Sequence, residues 1–158
     1  MEFLIVSIFK FWCYVIFGFM LEIKFTALGG VADGKVTKED KKLKGTISLW
    51  MIPVYGFLVW LLFEPLSGFI QDWPIYVRFG IWGILISSFE ALSGWFYHKV
   101  LNIKPWDYST SKFKVFKDGY TKWTLIPAWG IAGLILEHYS HFVVFMSKYV
   151  PEFFKGIL

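Results

Sequence analysis

The stretch that decides the fold is "LIPAWGIAGLILEHYSHFVVF", Leu125 to Phe145. It is about 20 residues long and mostly apolar, which is the length of α-helix that crosses the hydrocarbon core of a bilayer. Three ionisable side chains interrupt it: Glu137, His138 and His141. Because ionisable groups are expensive inside a membrane, they predict a functional site that faces the helix bundle or a polar cavity.

The rest of the chain shares this apolar character. Of its 158 residues, 56% are hydrophobic and 22% aromatic, whereas soluble domains are about 45–50% apolar. A soluble fold of this size cannot bury so much apolar surface, so part of it must face lipid. We therefore predict a single all-α integral membrane domain over residues 1–158. Its four transmembrane helices are expected at Phe3–Met20, Leu49–Ile70, Tyr76–Val100 and Leu125–Phe145.

Basic residues are distributed unevenly between the loops. The first and third loops hold Lys35, Lys38, Lys41, Lys42, Lys44, Lys104, Lys112, Lys114, Lys117 and Lys122, whereas the opposite side holds Arg78, Lys148 and Lys155. An excess of lysine and arginine is typical of cytoplasmic loops. The two long loops are therefore predicted to be cytoplasmic, with both termini on the opposite side of the membrane.

The two halves of the sequence resemble each other. "FTALGG" (Phe25–Gly30) matches "FEALSG" (Phe89–Gly94), and "MIPVYG" (Met51–Gly56) matches "LIPAWG" (Leu125–Gly130). A glutamate follows the second motif in each half, Glu64 and Glu137. The pattern predicts two parallel helix-loop-helix repeats, about residues 1–72 and 73–158. Chance similarity between apolar segments is the alternative.

Small and ionisable residues share one face of each of the last two spans. At spacings of three and four, span three has Gly80, Gly83, Ser87, Glu90, Gly94 and His98, and span four has Gly130, Gly133, Glu137 and His141. Such faces are where membrane helices pack. We predict an intramembrane polar site formed by Glu90, Glu137, His141 and Glu64. Ion coupling, polar substrate binding, metal ligation and interhelical hydrogen bonds all remain open for it.

Two sharper kinds of site receive less support. Glu137 and His141 with Glu90 could ligate zinc or iron, but the order differs from known zinc motifs and the metal stays undetermined. "GGVADGKV" (Gly29–Val36) lacks the Ser or Thr of a phosphate-binding loop and is interpreted as a cytoplasmic loop. The single Cys13 excludes a disulfide framework. No cofactor and no nucleic-acid partner are expected.

Several motifs resemble a known family over nearly the whole chain. These are "TALGG", "KLKGTISLWMIPVYG", "FEALSGW", "PWDYS" and "LIPAWGIAGLILE". They resemble the CmpB-like family of ABC-transporter type IV permeases and related small vertebrate four-helix transmembrane proteins. The resemblance implies a compact four-helix membrane protein whose signature is the PWDYS loop: Pro105, Trp106, Asp107, Tyr108 and Ser109. After this motif the chain departs from the family pattern, with only Gly119 aligning, and no catalytic residue is implied.

Three functions fit these observations. The first is a transport or permease-like subunit with a polar intramembrane site, working with a second copy or another membrane subunit. The second is an assembly or lipid-binding accessory of a larger membrane complex, because basic and aromatic residues alternate in the third loop. The third is an intramembrane enzyme acting on a lipid or isoprenoid, although no catalytic constellation is recognisable.

Overall fold

The structure, a computed structural model, describes residues 2–32 and 44–155, and most of these residues are helical. Helix α1 is Glu2–Ala32, α2 is Glu64–Ile70, α3 is Ile75–Leu101, α4 is Ile126–Ser147 and α5 is Val150–Lys155. Two 3₁₀ turns, Leu49–Met51 and Trp123–Leu125, and a π-helical segment, Val54–Phe63, complete the list. The all-α prediction is confirmed for these residues, in which the one β-type contact is an isolated bridge between Lys114 and Lys122.

Three helical segments in the described part of the chain are long and apolar enough to cross a membrane: Glu2–Leu28, Leu49–Ile70 and Ile75–Leu101. Helix α4 is long enough, at 22 residues, but it is not among them. Its apolar sequence is interrupted near the middle by Glu137, His138 and His141. Three of the four predicted crossings are therefore supported, and the four-helix repeat architecture stays a prediction.

The chain divides into two compact units. Unit 1 comprises Met1–Phe63 and Val143–Leu158, and unit 2 comprises Glu64–Phe142. These boundaries differ from the repeat boundary near residue 72 that the sequence suggests. The segment Gly29–Val36 is helical as far as Ala32, and its remainder lies outside the described residues, as do the predicted loop lysines Lys35, Lys38, Lys41 and Lys42.

In unit 1, helix α1 packs against the π-helical segment and against α5. Gly56 of the π-helical segment lies directly against the ring of Phe11, and Gly18 of α1 lies against the ring of Tyr55, so a side chain at either glycine would overlap the ring. The Thr26 hydroxyl accepts a hydrogen bond from the Thr46 amide at 2.9 Å. This bond attaches the segment that precedes the Leu49–Met51 turn to α1.

In unit 2, helices α3 and α4 run antiparallel, because Phe79 lies against Gly130 while the later Gly83 lies against the earlier Ile126. Gly133 faces the Trp82 side chain, which is fully buried. Glycine at these positions lets the two backbones approach closely, as small residues do in membrane helix pairs.

Helix α3 ends at a left-handed residue and the chain then folds back along it. Asn102 has φ 55°, and its N–H bonds to the Tyr97 carbonyl; asparagine tolerates this conformation better than most residues do. Downstream, the Trp106 ring packs against Gly94, with the nearest atom 3.2 Å from the position of a Cβ. The PWDYS loop therefore lies beside the last turns of α3.

Candidate intramembrane polar site

Glu90 on α3 is the centre of a hydrogen-bond cluster. Its Oε1 accepts the Tyr108 hydroxyl at 3.2 Å. Its Oε2 accepts the Thr121 hydroxyl at 2.5 Å and the Trp129 indole N–H at 3.2 Å. The three donors come from the PWDYS loop, from the segment that precedes α4 and from the first turns of α4. One carboxylate therefore connects three parts of unit 2.

Hydrogen bonds within the loop hold Tyr108 and the residue before Thr121 in place. The Trp106 indole donates to the Tyr120 carbonyl at 2.8 Å, and the Tyr108 amide donates to the Gly119 carbonyl at 2.9 Å. Gly119 has φ +70°, and a Cβ there would overlap the Ser109 backbone, so glycine is required at this position. The loop is thus preorganised around Glu90.

All three groups that hydrogen-bond Glu90 are uncharged. The nearby cation Lys122 has its Nζ 5.1 Å from the centroid of the Tyr108 ring. Hydrogen bonds from neutral donors offset part of the cost of removing a carboxylate from water. The Tyr108 and Thr121 bonds connect the loop directly to the Glu90 carboxylate.

Glu137 on α4 belongs to a different cluster. Its Oε2 accepts Arg78 at 2.5 Å and its Oε1 accepts the Trp82 indole N–H at 2.6 Å. The Glu137 side chain is 3% exposed and that of Arg78 19%. This is a buried ion pair between α3 and α4 that also satisfies the hydrogen-bonding group of a fully buried tryptophan.

The structure does not bring Glu90 and Glu137 into one pair of carboxylates. Trp82, which binds Glu137, precedes Glu90 by about 12 Å along α3 at a rise of about 1.5 Å per residue. Each carboxylate has its own donors. They are two separate polar clusters on one helix pair.

The remaining residues of the predicted polar site are distributed around these clusters. In "EHYSH", Glu137 and Ser140 are buried, whereas His138 and His141 are exposed. Glu64, half-buried, begins α2. Among the residues that the structure describes, no group of three His, Cys, Asp or Glu side chains is placed to hold a metal ion. Glu90 and Glu137 with His141 therefore do not meet as a ligand set.

Hydrogen bonds fix both acidic residues of the third loop. Asp107 accepts the Ser109 amide at 2.8 Å, and the hydrogen bonds from Ser109, with the nearby Lys104, hold the pKa of Asp107 below its ordinary value. Asp118 accepts the Tyr120 hydroxyl at 3.0 Å, and this bond, with the charge of Lys99, lowers the pKa of Asp118. Asp107 therefore caps a turn, since its side-chain oxygen accepts the amide two residues further along the chain.

A contact in unit 1 resembles the Glu90 cluster. The Tyr55 hydroxyl donates to Glu22 at 3.0 Å, and Tyr55 occupies the position in "MIPVYG" that Trp129 occupies in "LIPAWG". Phe11 precedes Glu22 by eleven residues, as Phe79 precedes Glu90, and each phenylalanine lies against the glycine of its motif. Glu22 lies two residues past the predicted end of the first span, and Tyr55 is its partner within unit 1.

Almost the whole chain matches a known protein family. The family described as "Putative ABC-transporter type IV" matches residues 9–158. The chain belongs to this family. Its family membership and its three apolar helices indicate an integral membrane protein. No curated protein and no solved structure matches the chain.

Sequence reasoning missed four residues of the clusters in this ABC-transporter type IV family member: Arg78, Trp82, Thr121 and Trp129. Arg78 was counted among the charges outside the membrane, although an arginine next to an apolar run is itself a signal for a buried partner. Trp129 lies in a repeated motif, which is a usable signal. Nothing in the sequence distinguishes Thr121 from the other hydroxyl residues of the loop.

Proposed function

We propose that this chain is a transport-like, permease-like membrane subunit in which Glu90 is the polar intramembrane site and the PWDYS loop senses its state. The observation that carries the proposal is the set of hydrogen bonds from Tyr108, Thr121 and Trp129 to one carboxylate on a candidate membrane span. Binding of a proton or a cation to the Glu90 carboxylate would then change the position of the loop, because the same carboxylate oxygens accept the hydrogen bonds from Tyr108 and Thr121.

A buried hydroxyl beside Glu90 supports a polar site at this level of α3. Ser87 is one turn before Glu90 and 7% exposed, and its Oγ has no hydrogen-bond partner among the described residues. Buried polar groups normally have partners, and an orphaned one calls for a water molecule or ligand. A small polar ligand near Ser87 and Glu90 would satisfy it.

Glu137 has a structural part in this proposal. Its ion pair with Arg78 holds α4 against α3 and fixes the position of Trp129, eight residues earlier on the same helix. Glu64 and the exposed His141 remain candidates for contacts with lipid, water or a partner subunit.

The long basic loops are proposed to face the cytoplasm, where an energy-coupling subunit would contact the PWDYS loop. A chain of this size offers few helices to line a pathway, so we propose that it works as an oligomer or with a second membrane subunit.

The proposal is tested by gentle extraction from the native membrane followed by native mass spectrometry and an ATP-hydrolysis assay. A transport subunit should carry a stoichiometric partner that hydrolyses ATP. Glu90→Gln should leave the mass of the complex unchanged and lower ATP hydrolysis several-fold, whereas the exposed Glu152→Gln serves as control. A lone oligomer without ATP hydrolysis, or equal activity in both variants, would contradict the proposal.

A second candidate, an assembly or lipid-binding accessory, is favoured by one observation. The third loop exposes Phe113, Phe116 and Trp123, which a partner or a lipid surface would cover. A partner without ATP hydrolysis in the native complex would favour this candidate.

A further inference from the structure

The segment 111–123, here called the basic hairpin, exposes three large aromatic rings outside the polar site. Phe113 is 58% exposed, Phe116 49% and Trp123 61%. Large apolar groups exposed together next to charged residues mark an interaction surface. Thr121 of the hairpin belongs to the Glu90 cluster, whereas the three exposed rings make no hydrogen bond to Glu90.

The hairpin has a defined backbone, so its rings are displayed on a fixed frame. The Trp123 amide donates to the Phe113 carbonyl at 3.0 Å, and the Val115 amide donates to the Thr121 carbonyl at 3.1 Å. Lys114 and Lys122 form the antiparallel bridge between these two bonds. Docking such a preformed element costs less conformational entropy than ordering a free loop does.

The hairpin is attached to the end of a candidate membrane span. It follows α3 after nine residues of loop, and Thr121 bonds to Glu90 on that helix. The chain then continues into α4. A surface carried in this way stays close to the membrane that α3 crosses.

The charge of the hairpin is positive. It holds four lysines, Lys112, Lys114, Lys117 and Lys122, and one acid, Asp118. Asp118 already accepts the Tyr120 hydroxyl and lies 3.7 Å from Lys99. Lys112 and Lys117 are exposed beside the aromatic rings, so the surface offers cations to an anionic partner.

We propose that the basic hairpin docks onto the anionic headgroup layer of the membrane in which the protein is embedded. Lysines beside a surface attract anionic lipids, and aromatic rings settle at the headgroup level. The position at the end of a span brings this surface to lipid without any further partner. An acidic protein is the other occupant of matching charge, and the experiment separates the two.

The test is hydrogen–deuterium exchange of the full-length protein in nanodiscs. One set contains phosphatidylcholine alone, and the other contains phosphatidylcholine with about 30% phosphatidylglycerol. Amides at the tip, Phe116 to Asp118, should exchange about threefold more slowly in the anionic discs, and about 0.5 M NaCl should remove the difference because it screens the charges. The amides of Val115 and Trp123 report that the hairpin is folded.

Matched variants make the result specific. Lys112→Gln with Lys117→Gln should abolish the lipid-dependent slowing of exchange, and Phe116→Ser should reduce it. The hairpin should stay folded in these variants, because all three side chains are exposed. Lys148→Gln, exposed but outside the hairpin, should keep it. Equal exchange in both kinds of disc would overturn the proposal. So would slowing that requires an added acidic protein and is independent of phosphatidylglycerol.

Discussion

The hydroxyl of Tyr108 donates a hydrogen bond to Oε1 of Glu90 over 3.2 Å, joining the centre of the PWDYS motif to a carboxylate on a membrane-span helix. The two residues are separated by the end of α3 and by the turn at Asn102. The motif thus has a physical role: it carries one of the donors that satisfy a buried carboxylate on a candidate membrane span.

Tyr108→Phe removes this donor while keeping the ring. We expect the free energy of unfolding to fall by about 1 kcal/mol and the loop amides to exchange faster. Thermal unfolding in detergent and hydrogen exchange check both effects. Tyr76→Phe is the control, because Tyr76 is 74% exposed and lies on α3, the helix that carries Glu90. An equal loss in both variants would contradict the role of the hydroxyl.

The Arg78–Glu137 pair should behave as a buried ion pair. Arg78→Gln alone leaves the Glu137 carboxylate without its cation and should cost about 3–5 kcal/mol of unfolding free energy. Arg78→Gln combined with Glu137→Gln should recover part of this loss, because two neutral amides can bond to each other. A double-mutant cycle measures the coupling.

The control for this cycle is the ion pair between Lys155 and Glu2, which has both side chains more than half exposed. Lys155→Gln should leave the unfolding midpoint unchanged, since solvent screens exposed pairs. Additive losses in the Arg78 and Glu137 variants would show that the two residues do not stabilise each other.

Glycine packing between α3 and α4 predicts unequal effects of two similar substitutions. Gly133→Ala places a methyl group against the Trp82 side chain and should destabilise the protein by about 1–3 kcal/mol. Gly80→Ala meets no atom within 4 Å and should be neutral or slightly stabilising, because alanine favours helices. Thermal unfolding of the two variants distinguishes them; similar midpoints would contradict the packing.

Acid should weaken the third loop. The folded-state pKa values of Asp107 and Asp118 are lowered by hydrogen bonds from Ser109 and Tyr120. Their contribution to stability is therefore present above the ordinary aspartate pKa of 3.8 and is lost as pH falls through the lowered values. Asp107→Asn with Asp118→Asn should flatten the decline in melting temperature between about pH 5 and about pH 3.

Asp72→Asn, an exposed residue of the turn between α2 and α3, is the matched control for this pH series. If the melting temperature falls with pH as steeply in the double variant as in the wild type, or if the fall disappears in the Asp72→Asn control, other carboxyl groups cause the effect.

The long helices could be predicted from the sequence because apolar runs of membrane length are a strong signal, although α1 continues to Ala32, past the predicted end at Met20. The starts near Pro53 and Pro127 were also predictable, since proline is tolerated in the first turn. Whether α4 crosses was less determinable: its length favours a crossing, whereas Glu137 and the two histidines weaken its hydropathy. Length and polarity conflict in that one helix.

The candidate site was only partly predictable. Helical periodicity shows which residues share one face of a helix, but it does not show which residues of the neighbouring helix lie opposite them. Glu90 and Glu137 share packing faces, yet α3 and α4 are paired so that Glu137 meets Arg78 and Glu90 meets Trp129. That register depends on glycine contacts between helices distant in sequence. The sequence motifs align Phe25 with Phe89. The hydrogen bonds to Tyr55 and Trp129 instead make Glu22 the counterpart of Glu90, so the two alignments differ by about one helical turn.

The measurement that tests the central claim most directly is hydrogen–deuterium exchange of residues 105–121 in the wild type and in Glu90→Gln, both in phosphatidylcholine nanodiscs. If Glu90 holds the loop, exchange of the amides of Tyr108 and Thr121 should accelerate at least about threefold, while α1 is unchanged and Glu152→Gln behaves like the wild type. Identical exchange of the loop in Glu90→Gln and wild type would show that the carboxylate does not hold the loop.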